Sequence, residues 1–278
     1  MAQGDATRIF ANIGAMNALN NLTNVGRKVG VHQLRLSSGR RINNAADDPA
    51  GYTIGKKLEA RTKMLSQALN NVGDAKNVLS VAEGGLQNIN DILLTMKEKA
   101  LQAASDTLGS AERNAIESQM DQLASEIDDI VSETTFNGTQ LIDGNYNATF
   151  QTGASQTDSL SFSLSTNHGA TNLQVNDANI DVSSSSSAST AISRIETAIT
   201  SVSQSLESIG STVSRLGVKE STLSVGIANT EAAHSRIFDA DMAKEQLELS
   251  KWQILQQTST SMLTQANQSS QGVMALFR

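Results

Sequence analysis

The sequence predicts a mainly α-helical protein in which long antiparallel coiled-coil helices form a rod, with a small β-hairpin region at the midpoint. Apolar residues recur every three or four positions over long stretches, and this period disappears between Phe136 and about Val182. The 278 residues include a single proline, Pro49. Because proline interrupts helices, its near absence permits unusually long ones.

The most regular apolar stripe covers residues 65–103. Its steps are all three or four residues, with a mean of about 3.5, which is the coiled-coil period. At 1.5 Å per residue the stripe extends roughly 57 Å. Stripes of the same kind cover residues 116–130 and 192–237, so we expect three long packed helices.

Both chain ends carry weaker stripes, on helices whose other faces are rich in Asn, Gln, Ser and Thr. Helices with so little apolar surface are unstable alone, so we expect them to order only when partners cover them. The alternative is a pair of ordinary amphipathic helices docked on their own domain. The first reading predicts polymerisation surfaces at Ile13, Met16, Leu19, Leu22, Val25, Leu249, Trp252, Leu255, Met262 and Leu276.

The centre of the chain predicts a β excursion at about 136–182. Residues 149–151 and 159–164 have β-type composition, and Asn137-Gly138 and Asp143-Gly144 predict turns between strands. The five serines at 183–187 predict an exposed loop. The predicted domains are a terminal coiled coil built from residues 1–45 and 237–278, and a helical rod domain at 46–236.

Residues 35–51 form a unit in which one helix stops and another starts. Gly39 suits the left-handed residue after a helix, and Arg40 and Arg41 would favour the C-terminal dipole of that helix. Asp48 would cap a new helix that begins at Pro49. Asp47 and Asp48 could also be taken for a metal or acid–base pair, but no histidine lies near them in the sequence, so we predict capping.

The same segment resembles a known family. Bacterial flagellins carry an N-terminal signature similar to Arg35-Leu36-Ser37-Ser38-Gly39, Arg41-Ile42-Asn43, Ala45, Asp47-Asp48 and Ala50-Gly51. Their C-terminal signature is similar to Ser235-Arg236-Ile237, Asp239-Ala240-Asp241 and residues 254–268, and their β region to residues 136–138 and 149–154. The junction residues marked in this way are Arg35, Gly39, Arg41, Asn43, Asp47, Asp48, Pro49, Arg236, Asp239 and Asp241.

The resemblance implies a structural subunit that polymerises into the extracellular bacterial flagellar filament for motility, without enzymatic activity or cofactor. It implies a terminal coiled-coil domain that orders on assembly, and a minimal chain without extra outer domains. It also implies type III export without a cleaved signal peptide. The implied partners are other copies of the chain, an export chaperone at the C-terminal end, and filament cap and junction proteins.

The sequence departs from the family pattern in three places. Ile9, Phe10, Ala11 and Asn12 stand where the family start resembles Ile-Asn-Thr-Asn, and Phe238 stands where a polar residue is common. Residues 95–99 replace an Arg-x-Arg-Glu-Leu-like run through which many flagellins activate an animal Toll-like receptor, and Gln119 replaces a helper Glu. We therefore expect weak receptor activation. O-glycosylation occurs in the family, and the candidate serines are Ser183, Ser184 and Ser185.

Composition excludes several other functions. A net charge of −7 with scattered Lys and Arg argues against nucleic-acid and membrane partners. The absence of cysteine excludes thiolate metal sites and cysteine nucleophiles, and no nucleophile–base pair, phosphate loop or metal cluster predicts an enzyme. A hook–filament junction protein has a similar two-ended plan, but the Gln-rich C-terminal run favours the filament subunit. A chemoreceptor signalling hairpin is contradicted by the β-like centre.

Overall fold

The computed structural model describes the backbone of residues 12–275 and the side chains of residues 12–268. Helices dominate this range and two short antiparallel strand pairs lie in its middle, which confirms the predicted fold class. The elements are α1 (Ile13–Ser38), α2 (Pro49–Ala103), α3 (Ser110–Glu133), β1 (Thr135–Phe136), β2 (Thr139–Gln140), β3 (Tyr146–Gln151), β4 (Ser159–Leu164), α4 (Ser185–Phe238) and α5 (Met242–Ala275).

The chain divides into two compact units. The terminal unit consists of residues 1–60 and 229–278, and the central unit of residues 61–228. The long helices α2 and α4 therefore contribute residues to both units.

The core of the central unit is built from the stripes that the sequence shows. Leu79, Leu86 and Leu93 on α2 are fully buried, as are Ile127 on α3 and Ile195 on α4, and all belong to one continuous cluster. The ion pairs Lys76–Glu220 and Lys97–Glu196, both 2.9 Å, show that α2 and α4 run antiparallel in this unit.

The β region lies against the same core. In β4 the side chains of Leu160, Phe162 and Leu164 are buried, while the serines between them are exposed, as expected for a strand with one covered face. β3 and β4 pair antiparallel from Tyr146↔Leu164 to Gln151↔Ser159. Asn137 and Gly138 both have positive φ in the turn between β1 and β2, as a tight hairpin turn requires.

The serine run at 183–187 is not the loop that its composition predicts. α4 begins at Ser185, and the Ser184 hydroxyl accepts a hydrogen bond of 3.1 Å from the Ser187 amide. Serine is favoured at this N-cap position because its side chain satisfies an amide that the helix leaves free. The run is therefore half loop and half first helical turn. Among the described helices, none has the length and apolar content needed to span a membrane.

Candidate functional site: the paired chain ends

The two terminal helices pack against each other in antiparallel orientation. At one end of the pair, the Asn12 side chain caps α1 by accepting from the Ala15 amide (2.9 Å) and donates to the Ala266 carbonyl of α5 (3.0 Å). At the other end, His32 of α1 contacts Glu245 of α5. Both ends of the pairing are thus held by polar contacts.

The seam between α1 and α5 is shallow. The apolar side chains in it are only half-buried, and α1 has no fully buried residue within its described range. A seam of this kind removes little apolar surface from water and stabilises the pair weakly. Its members are Ala15, Ala18, Leu22, Val25, Val29, Leu36, Leu249, Trp252, Ser259, Leu263 and Ala266.

A second set of apolar side chains points away from the seam. Met16 is 60% exposed and Met262 is 61% exposed, and Ile13, Leu19 and Leu255 are exposed with them. Four more exposed apolar residues of these helices are not among the predicted polymerisation residues: Val31, Leu34, Leu247 and Ile254.

The predicted polymerisation residues therefore belong to two faces and not to one stripe. Leu22, Val25, Leu249 and Trp252 lie in the seam, whereas Ile13, Met16 and Leu19 are exposed on α1, and Leu255 and Met262 are exposed on α5 beside the seam. Each step of three residues falls 60° short of a full turn, so the three such steps from Ile13 to Leu22 carry the stripe halfway around the helix. Leu276 lies outside the described residues.

The two linkers between the helices pair with each other. Arg41 N–H donates to the Phe238 carbonyl (2.6 Å), and Ala240 N–H donates to the Gly39 carbonyl (2.9 Å), across an antiparallel bridge between Arg40 and Asp239. Gly39 adopts the left-handed conformation predicted for it, with φ of 69°. The chain ends α1 and α5 are therefore joined at their base by backbone hydrogen bonds.

The sequence predicts that Arg41 interacts with the C-terminal end of α1, but its side chain contacts α4 instead. Its guanidinium donates to the Ile237 carbonyl (2.9 Å) in the last turn of α4, and lies 3.6 Å from the Asp48 carboxylate. The cation thus satisfies a free carbonyl at the end of another helix. Arg236 is exposed in that same last turn.

Two acidic residues of the linkers are helix caps. Asp48 Oδ1 accepts from the Gly51 amide (2.9 Å) and caps α2, as predicted, while Asp241 Oδ1 accepts from the Ala243 and Lys244 amides (both 3.1 Å) and caps α5. Asp47 instead closes the turn before α2 by accepting from the Asn44 and Asn43 amides, and these bonds lower the pKa of Asp47. Within the described residues, no cluster of His, Cys, Asp or Glu is arranged to hold a metal ion.

Phe238, one of the three departures from the family pattern, is buried. Its ring lies against Gly55 of α2, stacks on His234 with 4.8 Å between ring centroids, and lies 6.0 Å from the Tyr52 ring. The Asp239 carboxylate, next in the chain, accepts from the Ser235 hydroxyl (2.6 Å).

A buried polar cluster at the base of the pair was not predicted. Glu245, only 8% exposed, accepts from His32 Nδ1 (2.5 Å) and from an Arg35 guanidinium nitrogen (3.4 Å). The Trp252 ring lies over the His32 ring, with centroids 6.5 Å apart. The only signal in the sequence is a glutamate at a seam position of an otherwise polar helix, which does not reveal its partners.

Comparison with known proteins identifies the family of this paired-end arrangement. The bacterial flagellin N-terminal helical region matches residues 9–147, and the bacterial flagellin C-terminal helical region matches residues 192–277. The chain belongs to the bacterial flagellin family. It is a structural subunit of the flagellar filament and not an enzyme.

Full-length relatives agree with this assignment. A flagellin of Bacillus subtilis is 34% identical over 98% of this chain and all of its own length. A flagellar filament 33 kDa core protein of Treponema phagedenis is 32% identical over 96% of this chain and 98% of its own.

One solved structure resembles the fold. A flagellar hook-associated protein of Vibrio parahaemolyticus has a TM-score of 0.59 over 69% of this flagellin and all of its own chain, with 13% identity. At that identity the likeness concerns the fold alone. Because the full-length relatives are flagellins and filament core proteins, the hook–filament junction alternative is less well supported than the filament subunit.

Proposed function

We propose that the chain polymerises through the outward apolar faces of α1 and α5, and that the filament lies outside the cell. The observation that carries this proposal is that both paired helices have a second apolar face on the side away from their seam. The outward residues of α1 and α5 would be covered by neighbouring subunits.

Covering the outward side chains would contribute a substantial free energy of burial to assembly. Fully burying a Leu, Ile or Met side chain is worth about 1.5–3 kcal/mol, so covering five such residues on each subunit would contribute roughly 10 kcal/mol before the costs of association. Because the chain is a subunit of a filament, in which one contact repeats from copy to copy, contacts between copies would be heterologous. A heterologous contact whose rotation does not close produces a helical filament instead of a ring.

We further propose that the terminal helices are frayed in the free subunit and become fully helical on assembly. The shallow seam supports this, because half-buried Ala, Ser and Leu contacts offset little of the entropy lost on ordering. The functional boundary is proposed at residues 45 and 237, in the two linkers, although the compact units divide inside α2 and α4.

Trp252 provides a direct test of this ordering, because it is the chain's single tryptophan and lies in the seam. Circular dichroism and tryptophan emission would be recorded on the same sample before and after polymerisation. We expect helicity to rise and the emission maximum to move to shorter wavelength. Unchanged signals on a sample that electron microscopy shows to be filamentous would contradict ordering on assembly.

Export and its chaperone are proposed on the basis of family membership. The exposed apolar residues Leu247 and Ile254 support a chaperone site on the C-terminal helix, since they would need cover before assembly. Secretion without a cleaved signal peptide, and contacts with filament cap and junction proteins, belong to the same proposal. N-terminal mass spectrometry of purified filaments tests cleavage, and secretion from a chaperone-deletion strain tests the chaperone.

Weak activation of the Toll-like receptor remains our prediction for residues 95–99. Thr95 is exposed, Met96 is buried in the core, and Lys97 is paired with Glu196, so this surface lacks the arginines of the activating run. A cell reporter assay with a potent flagellin as reference would show a much higher half-maximal dose for this chain. Equal potency would contradict the prediction.

O-glycosylation is proposed for Ser183 and Ser184, which are exposed, with Ser183 the better acceptor because the Ser184 hydroxyl caps α4. Ser185, the third predicted serine, is half-buried and donates its hydroxyl to the Ala104 carbonyl (2.8 Å), which makes it a poorer acceptor. Intact mass spectrometry of native filaments would show added hexose-sized masses, and an unmodified mass would refute the proposal.

A further inference from the structure

The seam between α1 and α5 contains little that distinguishes one alignment of the helices from another. Its half-buried positions are mostly small or aliphatic, among them Ala15, Ala18, Val25, Val29 and Ser259. Because such side chains fit one another at several offsets, a slide of one helix along the other by whole heptads costs little in apolar contact. The register therefore depends on the paired linkers at the base of the two helices and on any specific side-chain contact between the helices.

The exception is the polar cluster at the base of the pair. Glu245 is buried, and its carboxylate contacts His32 and is paired with Arg35 from the facing helix. Trp252 covers His32 on the α5 side, while Lys251 lies 5.4 Å from the Trp252 ring and pairs with Glu248 at the exposed edge. The cluster lies where the C-terminal end of α1 meets the first turn of α5, so the helix dipoles favour these signs of charge.

A slide of one heptad toward the start of α1 would remove both partners of Glu245. His32 would be replaced in the facing position by Val25, and Arg35 by Lys28, whose side chain is exposed on α1. A heptad slide in the other direction would bring Gly39 and Ile42, which lie beyond the end of α1. The first slide would exchange the His32 and Arg35 contacts for a single lysine, and the second would bury the carboxylate without a cation, so both would cost stability.

We infer that His32, Arg35 and Glu245 are register-determining residues, which hold α1 and α5 of each subunit at a single offset in the filament. Buried polar residues are known to select one alignment among coiled-coil helices, at some cost in stability. This inference rests on the proposed pairing of the terminal helices in the filament. Its consequence is that every subunit presents its outward residues, such as Met16 and Met262, at the same relative height to its neighbours.

The experiment measures the offset directly. The chain has no cysteine, so the exposed residues Asn20 and Gln257 can be changed to cysteine and spin-labelled without background. Filaments containing a small labelled fraction among unlabelled subunits would give intramolecular distances by pulsed electron paramagnetic resonance. We expect one distance for the wild-type cluster.

The deciding variant replaces His32, Arg35 and Glu245 with Leu, Met and Leu. If the cluster sets the register, filaments of this variant show a second, longer distance, because a slide of one heptad displaces the two labels by about 10 Å along the helix axes. A single unchanged distance overturns the inference, because the paired linkers, the seam or the neighbouring subunits would then fix the offset. The control variant Val29→Ala weakens the seam without touching the cluster and should keep one distance.

A charge exchange covers the case in which the apolar variant makes no filaments. His32→Glu alone and Glu245→Lys alone place like charges together and should abolish single-distance filaments, whereas the two changes combined should restore them. Lack of rescue, with wild-type filaments intact by electron microscopy, overturns the inference while the proposed function stands. Loss of pairing in wild-type filaments themselves would refute the proposed function instead.

Discussion

At the scale of single residues, the contact between Phe238 and Gly55 shows how closely α4 and α2 approach within the terminal unit. A Cβ atom added to Gly55 would lie 1.9 Å from Phe238 Cε2, and the ring stacks on His234. The ring cannot retreat without leaving its stacked position. The position of the Phe238 ring therefore requires a residue without a Cβ atom at position 55.

We predict that Gly55→Ala destabilises the protein by about 1–3 kcal/mol, the usual cost of overpacking. Gly73→Ala on the same helix is the matched control, because a Cβ there meets nothing within 4 Å and should stabilise by about 0.5–1 kcal/mol. Urea unfolding followed by circular dichroism measures both. Equal effects of the two substitutions would show that Phe238 yields to the added methyl group.

His168 is fully buried in the central unit, so its protonation affects the stability of that unit. Its Nε2 lies 2.9 Å from the Ser205 hydroxyl and its Nδ1 lies 3.3 Å from the Ile142 carbonyl. A carbonyl only accepts, so Nδ1 carries the proton and Nε2 accepts from Ser205. Burial lowers the pKa of His168, and the hydrogen bond with Ile142 opposes this to a smaller extent.

The lowered pKa makes the stability of the central unit depend on pH. Below about pH 6.5 the unfolded chain binds a proton at this histidine that the native state does not, so stability is complete above that pH and is lost as pH falls through the native pKa. We predict that His168→Gln is less stable at pH 8 but loses less stability between pH 7.5 and 5. The control is His234→Gln, outside the central unit, and identical pH slopes for wild type and His168→Gln would contradict the assignment.

At the scale of elements, periodicity predicts the existence of the helices but not which face of α1 meets α5. The central stripe positions on α2 and α4 are buried as expected because their three- and four-residue steps alternate and hold one face. The left-handed Gly39 after α1 and the Asp48 cap of α2 depend only on neighbouring residues, so both can be predicted from the sequence. The Arg41 contact with α4 and the Glu245 cluster depend on residues about 200 positions away, and no local signal contains them.

The outward face of α1 yields a prediction at this scale. Met16→Gln removes an exposed apolar side chain while keeping similar helix propensity, so the stability of the free subunit should not change. If neighbours cover Met16, the critical concentration for polymerisation should rise about five- to tenfold, which corresponds to roughly 1 kcal/mol of lost burial. Sedimentation of filaments at increasing concentration measures it, with Asn20→Gln as the exposed control. A critical concentration equal to that of the wild type would place Met16 outside the assembly surface.

At the scale of the whole molecule, folding and assembly are assigned to different units. The continuous buried core lies between Leu65 and Leu223, within the central unit. The terminal unit has a half-buried seam and exposed apolar faces. One unit can therefore meet the entropic cost of folding with its own contacts, whereas we propose that the other depends on surfaces of neighbouring subunits.

This division predicts that residues 61–228 alone form a folded, monomeric protein that does not polymerise. The fragment keeps α3, both strand pairs and the antiparallel segments of α2 and α4, with the Lys76–Glu220 and Lys97–Glu196 pairs intact. It lacks every outward residue of α1 and α5. Cooperative urea unfolding would report the fold, and sedimentation velocity at concentrations where the full chain forms filaments would report the monomer. Filament formation by the fragment would move the assembly surface onto the central unit, and a fragment without a cooperative transition would show that its core depends on the chain ends.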